Sequence, residues 1–70
     1  MKYLVTFEKS VDGSIWARVP DIDGCFSSGD TIDEAKENVK DAIALNLEDL
    51  KEEGKPIPKP NILDAELVAV

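Results

Sequence analysis

The stretch that decides the fold is Pro20–Glu34, with the sequence PDIDGCFSSGDTIDE. Its first part, Pro20–Gly24, has the composition of a turn, because proline presets φ, aspartate bonds to nearby backbone and glycine accepts positive φ. Its last part, Thr31–Glu34, matches a helix capping box, in which the threonine hydroxyl and the glutamate carboxylate each accept from the other residue's backbone N–H. Extended chain therefore gives way to helix close to residue 31.

A long helix is predicted after this stretch, over about Ile32–Glu53. Its apolar residues recur at spacings of three and four and so share one stripe: Ile32, Ala35, Val39, Ala42, Ile43, Leu47 and Leu50. Gly54 occupies the position expected of a glycine that ends a helix, and Lys51 and Lys55 lie near the negative end of the helix dipole.

A hairpin is predicted before the stretch. Residues 2–8 alternate, with apolar side chains at 3, 5 and 7 on one face, as expected of a half-buried strand. The pair Asp12-Gly13 is a strong hairpin signal, and residues 14–19 resume the extended pattern. In this second strand Ala17 shares the core face with the apolar residues two positions before and after it, whereas Trp16 and Arg18 lie on the opposite face.

Residues 25–28 are long enough for a short third strand, paired with the second. Beyond the helix, prolines at 56, 58 and 60 predict a stiff, extended connector, followed by a last strand at Glu66–Val70. The expected fold is α+β, with three antiparallel strands, one long helix and a fourth strand (β-β-β-α-β), in a single domain over residues 1–70. The helical crossover allows the fourth strand to lie parallel to the first.

Size and charge indicate a protein that works with partners. A chain of 70 residues has a thin core, so oligomerisation is an expected source of stability. Its net charge of −7 repels phosphate backbones and argues against direct nucleic-acid binding. A basic protein partner fits better, although the same acidity would also serve simply to keep a small domain in solution.

Nothing in the sequence indicates export or a membrane. The chain has one cysteine, so an internal disulfide is impossible, and Cys25 is expected to be a small buried hydrophobe. The start of the chain has too short an apolar run for a signal peptide, and no stretch approaches the ~20 apolar residues of a membrane span. The cytoplasm is the expected compartment.

Catalysis is not expected, and neither is a cofactor or a metal. The absence of histidine removes Ser-His, Cys-His and histidine-containing zinc sites. Magnesium-dependent phosphoryl chemistry would need a carboxylate cluster, for which the candidates are Glu8, Asp12, Asp21, Asp23, Asp30 and Glu34. Each of these has a simpler role in a turn, at a helix start or near a strand end.

A partner-binding surface is predicted on the second strand and the loop after it, because the core explains these residues least. Trp and Arg are favoured at the centres of interfaces, and the alternation places both on the face away from the core. The predicted contact residues are Trp16, Arg18, Asp21, Asp23 and Phe26.

The joined motifs resemble those of a known family. Pro20–Cys25, Gly29–Thr31 with Glu34-Ala35, and a helix ending at Gly54 before Ile57–Pro60 resemble the HicB antitoxin family of bacterial and archaeal toxin–antitoxin pairs. The resemblance covers essentially the whole chain. It implies a partial RNase H-like fold without the catalytic carboxylate set. It also implies a role in binding and silencing HicA, a small basic RNA-cleaving toxin.

Three hypotheses follow. The first is an antitoxin-type binding protein that masks a HicA-like toxin, in a short form without the C-terminal helix-turn-helix or ribbon-helix-helix segment that binds the operator in many members of the family. The second is a structural homo-oligomer that associates through an exposed strand edge or the Trp16 face. The third is a vestigial magnesium-dependent nuclease using Glu8, Asp21, Asp23 or Asp30.

Overall fold

The computed structural model describes residues 2–70, and within that range the chain forms three strands followed by one helix. The strands are β1 (Thr6–Lys9), β2 (Ile15–Arg18) and β3 (Phe26–Gly29), and the helix is α1 (Ile32–Glu52). This is the predicted α+β order, and the helix ends one residue before its predicted limit.

The strands form one antiparallel sheet in the order β1-β2-β3. At the β1–β2 turn Gly13 has a φ of 92°, which confirms the hairpin expected at Asp12-Gly13. The Asp12 carboxylate accepts from the Ser14 amide (3.0 Å) and hydroxyl (2.7 Å), and these bonds lower the pKa of Asp12. β1 begins at Thr6 rather than at residue 2, so the preceding residues approach the core without pairing in the sheet.

The core lies between one face of the sheet and the first half of α1. Alternation along β2 places Ala17 inward and fully buried, while Trp16 and Arg18 lie on the other face, as predicted. Small residues at Ala17 and Ala35 let helix and sheet approach closely. The buried apolar residues are Ala17, Val19, Ile22, Cys25, Ala35 and Val39.

Gly29 joins β3 to the helix at a close approach. A Cβ atom at this position would lie 2.6 Å from the Ala35 nitrogen and 2.9 Å from the Glu34 Cβ. Both are shorter than any ordinary contact, so only glycine lets the end of β3 pass the first turn of α1.

The helix is capped at both ends as the sequence predicts. The Thr31 hydroxyl accepts from the Glu34 amide at 3.1 Å, and Gly54 has a φ of 70°. The second half of α1 extends past the sheet, so Ile43 and Leu47 of the apolar stripe are only half-buried and Leu45 is exposed. Among residues 2–70 no helix is long and apolar enough to cross a membrane.

Residues 55–70 form neither helix nor strand, so the strand expected at Glu66–Val70 is not formed within a single chain. The connector is fixed at two points: the Tyr3 hydroxyl donates to the Pro58 carbonyl, and the Asp21 carboxylate accepts from the backbone amides of Asn61 (3.1 Å) and Ile62 (3.2 Å). A strand is held by bonds to a neighbouring strand. Beyond Ile62 every residue is exposed and none pairs with either sheet edge. The RNase H-like relationship implied by the resemblance stays a prediction.

The first prediction concerns Gly29. Replacing it by alanine should lower the free energy of unfolding by about 1–3 kcal/mol, because the added methyl group forces β3 and α1 apart. Urea unfolding followed by Trp16 fluorescence measures this change. The matched control is Ser28→Ala, on the outer side of the same strand, which should change stability by less than about 0.5 kcal/mol. Equal stability of Gly29→Ala and the unaltered chain would contradict the close approach.

The second prediction concerns Cys25. This residue is 3% exposed, which confirms that it is buried as expected. Burial raises the pKa of its thiol. Iodoacetamide should therefore alkylate it only as fast as the chain opens, and much faster in urea. A Lys9→Cys variant in a Cys25→Ala background, with its thiol on an exposed residue, should react at once in the folded protein.

The raised pKa of Cys25 also fixes the sign of a pH effect. The unfolded thiol ionises around 9.0 and the folded thiol above it, so the stability due to this group is present below pH 9 and is lost as the pH rises further. Urea titrations of the unaltered chain and Cys25→Ala should diverge with this sign. Fast alkylation of Cys25 in the folded protein would contradict the burial of its thiol. So would the same pH dependence of stability in the unaltered chain and in Cys25→Ala.

Candidate functional site

The face of the sheet turned away from α1 carries a compact group of aromatic and charged side chains. The strand register places Arg18 between Thr6 and Phe26 in one row, and Trp16 between Glu8 and Ser28 in the next. Within the part of the chain that the structure describes, no helix packs over this side. We call Glu8, Trp16, Arg18 and Phe26 the outer-face cluster.

Arg18 lies at the centre of the outer-face cluster. Its guanidinium carbon is 5.9 Å from the ring centroids of both Trp16 and Phe26, within the range of cation–π attraction. The two ring centroids are 5.5 Å apart with the planes tilted by 38°. The Arg18 Nε donates to the Glu8 carboxylate at 2.5 Å. Two rings and one carboxylate therefore hold the guanidinium in place.

The cluster is held in position but remains accessible. Phe26 is 48% exposed, and the side chains of Arg18 and Glu8 are 54% and 59% exposed. Exposed ion pairs contribute little to stability, because water already solvates both charges. A pre-ordered surface that offers aromatic area and an arginine has the composition of an interface centre.

The loop after β2 places Asp23 beside this cluster. Backbone bonds from the Ile22 amide to the Val19 carbonyl and from the Cys25 amide to the Ile22 carbonyl close the loop, and Gly24 has a φ of 70°. The exposed Asp23 lines a shallow concavity of about 320 Å³ that Arg18 and Phe26 also line. A cationic group that binds this concavity would meet a carboxylate at its rim.

Of the five predicted contact residues, the structure brings together Trp16, Arg18, Phe26 and Asp23. Asp21 is set apart from them, because its carboxylate already accepts the amides of Asn61 and Ile62.

Glu8 was not among the predicted contacts, although it pairs with Arg18. The signal for it was the hairpin register: with Gly13 in the turn, Glu8 lies directly opposite Trp16 on the same face.

The carboxylates considered for magnesium are spread over separate structures. Asp12 bonds to Ser14 in the hairpin, Asp21 bonds to the connector, and Glu8 pairs with Arg18. Among residues 2–70 there is no group of three or more His, Cys, Asp or Glu side chains arranged to hold a metal ion.

Comparison with known proteins gives consistent matches over this chain. The family model described as a HicB-like antitoxin of bacterial toxin–antitoxin systems matches residues 3–69. A UPF0150 protein of Synechocystis is 43% identical over 61 residues, covering 87% of this chain and 77% of that protein. Antitoxin HicB 1 of Photorhabdus laumondii is 34% identical over all of this chain and 45% of its own length.

An uncharacterised 14.9 kDa protein of Haemophilus phage HP1 is 42% identical over 91% of this chain, which spans 47% of the phage protein, about half its length. Among solved structures, a chain of a HicA3 and HicB3 toxin–antitoxin complex matches with a TM-score of 0.70 and 40% identity, covering 83% of this chain and 66% of that one. The fold, the sequence and the family model agree, and the chain belongs to the HicB-like antitoxin family.

Proposed function

We propose that this chain is an antitoxin-type binding protein that neutralises a small, basic, RNA-cleaving toxin of the HicA kind by covering it. The observation that carries the proposal is the outer-face cluster, an accessible and pre-ordered group of Trp16, Phe26 and Arg18 on a member of an antitoxin family. The similar chain in a HicA3 and HicB3 complex supports a HicA-like partner. Family membership supports a role in binding rather than catalysis, and the cytoplasm is the compartment we propose for it.

Charge supports the choice of a basic partner. The chain carries 15 acidic and 8 basic residues, a net charge of −7. Opposite net charge accelerates encounter and disfavours other acidic proteins as partners. At the cluster itself Asp23 offers a carboxylate to lysine or arginine of the toxin, so charge brings the two surfaces together in one orientation.

Affinity in this proposal comes from the two rings. An aromatic side chain that leaves water at the centre of an interface contributes much more than the charged rim around it. Arg18 is already held by Glu8 and by the rings, so little side-chain freedom is lost when it binds. Asp21 holds the connector instead, through the amides of Asn61 and Ile62, and is given no toxin contact in this proposal. Neutralisation then requires only that RNA be kept from the toxin.

The third prediction tests the cluster. Trp16→Ala and Phe26→Ala should each raise the dissociation constant for the toxin about 30-fold, the equivalent of about 2 kcal/mol for a residue at an interface centre. The probe is the short basic protein encoded beside the gene for this chain, and titration calorimetry gives the constant. Phe26 is 48% exposed but Trp16 is half-buried, so Trp16→Ala is expected to lower stability more than Phe26→Ala, and circular dichroism must confirm that each variant is folded at the binding temperature.

The matched control is Leu45→Ala, which removes an exposed hydrophobic side chain from α1, away from the outer face. It should change the dissociation constant by less than about twofold. In cells producing the toxin, the unaltered chain and Leu45→Ala should restore growth and Trp16→Ala should not. Full-strength binding by both ring variants, or a large loss on Leu45→Ala, would contradict the assignment of the surface.

A further inference from the structure

The segment Ile62–Val70, which we call the exposed segment, has the pattern of a strand without a sheet. Its sequence, ILDAELVAV, alternates so that one face is entirely apolar, with Leu63, Ala65, Leu67 and Ala69. Every residue of the segment is exposed, and Leu63 and Leu67 are almost completely so. Burial of these apolar side chains would stabilise the protein through the hydrophobic effect, and the single chain lacks that stabilisation.

A groove of matching character runs along the residues before β1 and reaches the start of that strand. α1 packs on β3 and β2, so the inward side of β1 and of the residues before it is only partly covered. The resulting groove has a volume of about 670 Å³. Val5 and Phe7 line it from the sheet side, and Val39 and Ile43 line it from the helix. Its lining is mostly apolar, with lysines contributed from both sides.

Among residues 2–70 no strand pairs with the outer edge of β1. β1 and β3 are the outermost strands in the order β1-β2-β3. At β3 the helix approaches the strand, and the Asn38 side-chain amide donates to the Ser28 carbonyl at 2.8 Å. β1 carries a row of backbone groups that point away from β2, and such a row pairs readily with an added strand.

We propose that the exposed segment of one copy adds to β1 of a second copy as a fourth strand, and that the second copy returns its own segment in the same way. The apolar face with Leu63 and Leu67 fills the groove, and the backbone of the segment bonds to the edge of β1. Reciprocal exchange gives a closed two-fold dimer, because each copy both donates and receives a segment. The exchange completes the β-β-β-α-β order in each half of the dimer.

Length and charge both fit this occupant. Nine residues of extended strand span about 30 Å, and residues 2–9, including β1, span about 26 Å. The groove is bordered by Lys2, Lys36 and Lys40, and the exposed segment carries Asp64 and Glu66. Opposite charge on the two surfaces favours their encounter.

The second copy, rather than the same chain, is the occupant because of how the segment is held at its start. The Asp21 carboxylate binds the amides of Asn61 and Ile62, and Tyr3 holds Pro58, so the path of the chain is fixed up to residue 62. Beyond that point the segment is exposed and pairs with no strand of its own chain. A stiff proline connector resists the sharp bend that would bring the segment back to the groove of its own chain. Exchange between two copies does not require that bend.

The fourth prediction tests the exchange with the chain alone, without toxin. Light scattering over a dilution series should show a monomer–dimer equilibrium. Leu67→Asp should raise the dimer dissociation constant at least about tenfold, since it replaces the apolar area that fills the groove by a carboxylate that must lose its water. Leu67 is fully exposed in the single chain, so this variant should fold normally. The matched control Leu45→Asp places the same charge on exposed α1 and should leave the dimer unchanged.

A mixed-label experiment identifies the donor of the strand. In a sample of equal parts labelled and unlabelled chain, filtered NOEs between Leu67 and Ile43 methyl groups should arise between different copies. A monomer at all concentrations would overturn the proposal, as would a dimer insensitive to Leu67→Asp, or NOEs confined to one copy. The strand-exchange proposal would also be overturned if the segment became ordered only after toxin is added. That result would indicate that the toxin occupies the groove. None of these results depends on whether the outer-face cluster binds toxin.

Discussion

One helix packed on part of one face of a three-stranded sheet is the constraint on which the rest of this structure depends. Small side chains at Ala17, Ala35 and Gly29 let α1 approach β2 and β3 closely enough to enclose a core of only a few residues. Within residues 2–70 the chain has no second helix, so the helix cannot also cover the outer face or the β1 edge. Both surfaces follow from the packing of the core.

The two surfaces differ in chemistry, and that difference separates their proposed occupants. The outer face is aromatic and charged, with Arg18 fixed between Trp16, Phe26 and Glu8, as suits a partner that associates and dissociates. The β1 groove is mostly apolar and ends in an open strand edge, as suits a permanent β-strand. A domain of this size buries little apolar surface by itself, so strand exchange would contribute stability that one copy lacks.

Much of this fold follows from local sequence. The cap at Thr31, the glycine at Gly54 and the hairpin turn depend on neighbouring residues, and each lies where the sequence predicts it. The side chains of Trp16 and Arg18 lie on the other face of the sheet from Ala17, as follows from the two-residue period of a strand. The antitoxin family follows from the joined motifs and is confirmed by the comparisons.

What could not be predicted depends on contacts distant in sequence. The hydrogen bonds between the Asp21 carboxylate and the amides of Asn61 and Ile62 join residues 40 and 41 positions apart. No local sequence pattern predicts them. The fourth strand is expected because the alternation of Glu66–Val70 is correct for a strand, but a strand also needs to pair with a neighbour, and in the single chain this segment pairs with none. Glu8 is predicted only as a carboxylate candidate near a strand end, because its partner Arg18 becomes evident only when the hairpin register is known.

The most direct test of the account is the NMR signal of the Trp16 indole N–H in a ¹⁵N-labelled chain, recorded as unlabelled toxin is added. Trp16 is the only tryptophan, so its signal reports the outer face without ambiguity. We expect a large shift of this signal and of the Arg18 side-chain N–H signal, while the signals of the buried methyl groups of Ala35 and Val39 remain unchanged. An unshifted Trp16 signal in a saturated complex, with the shifts confined to α1, would contradict the claim that the outer face is the binding surface.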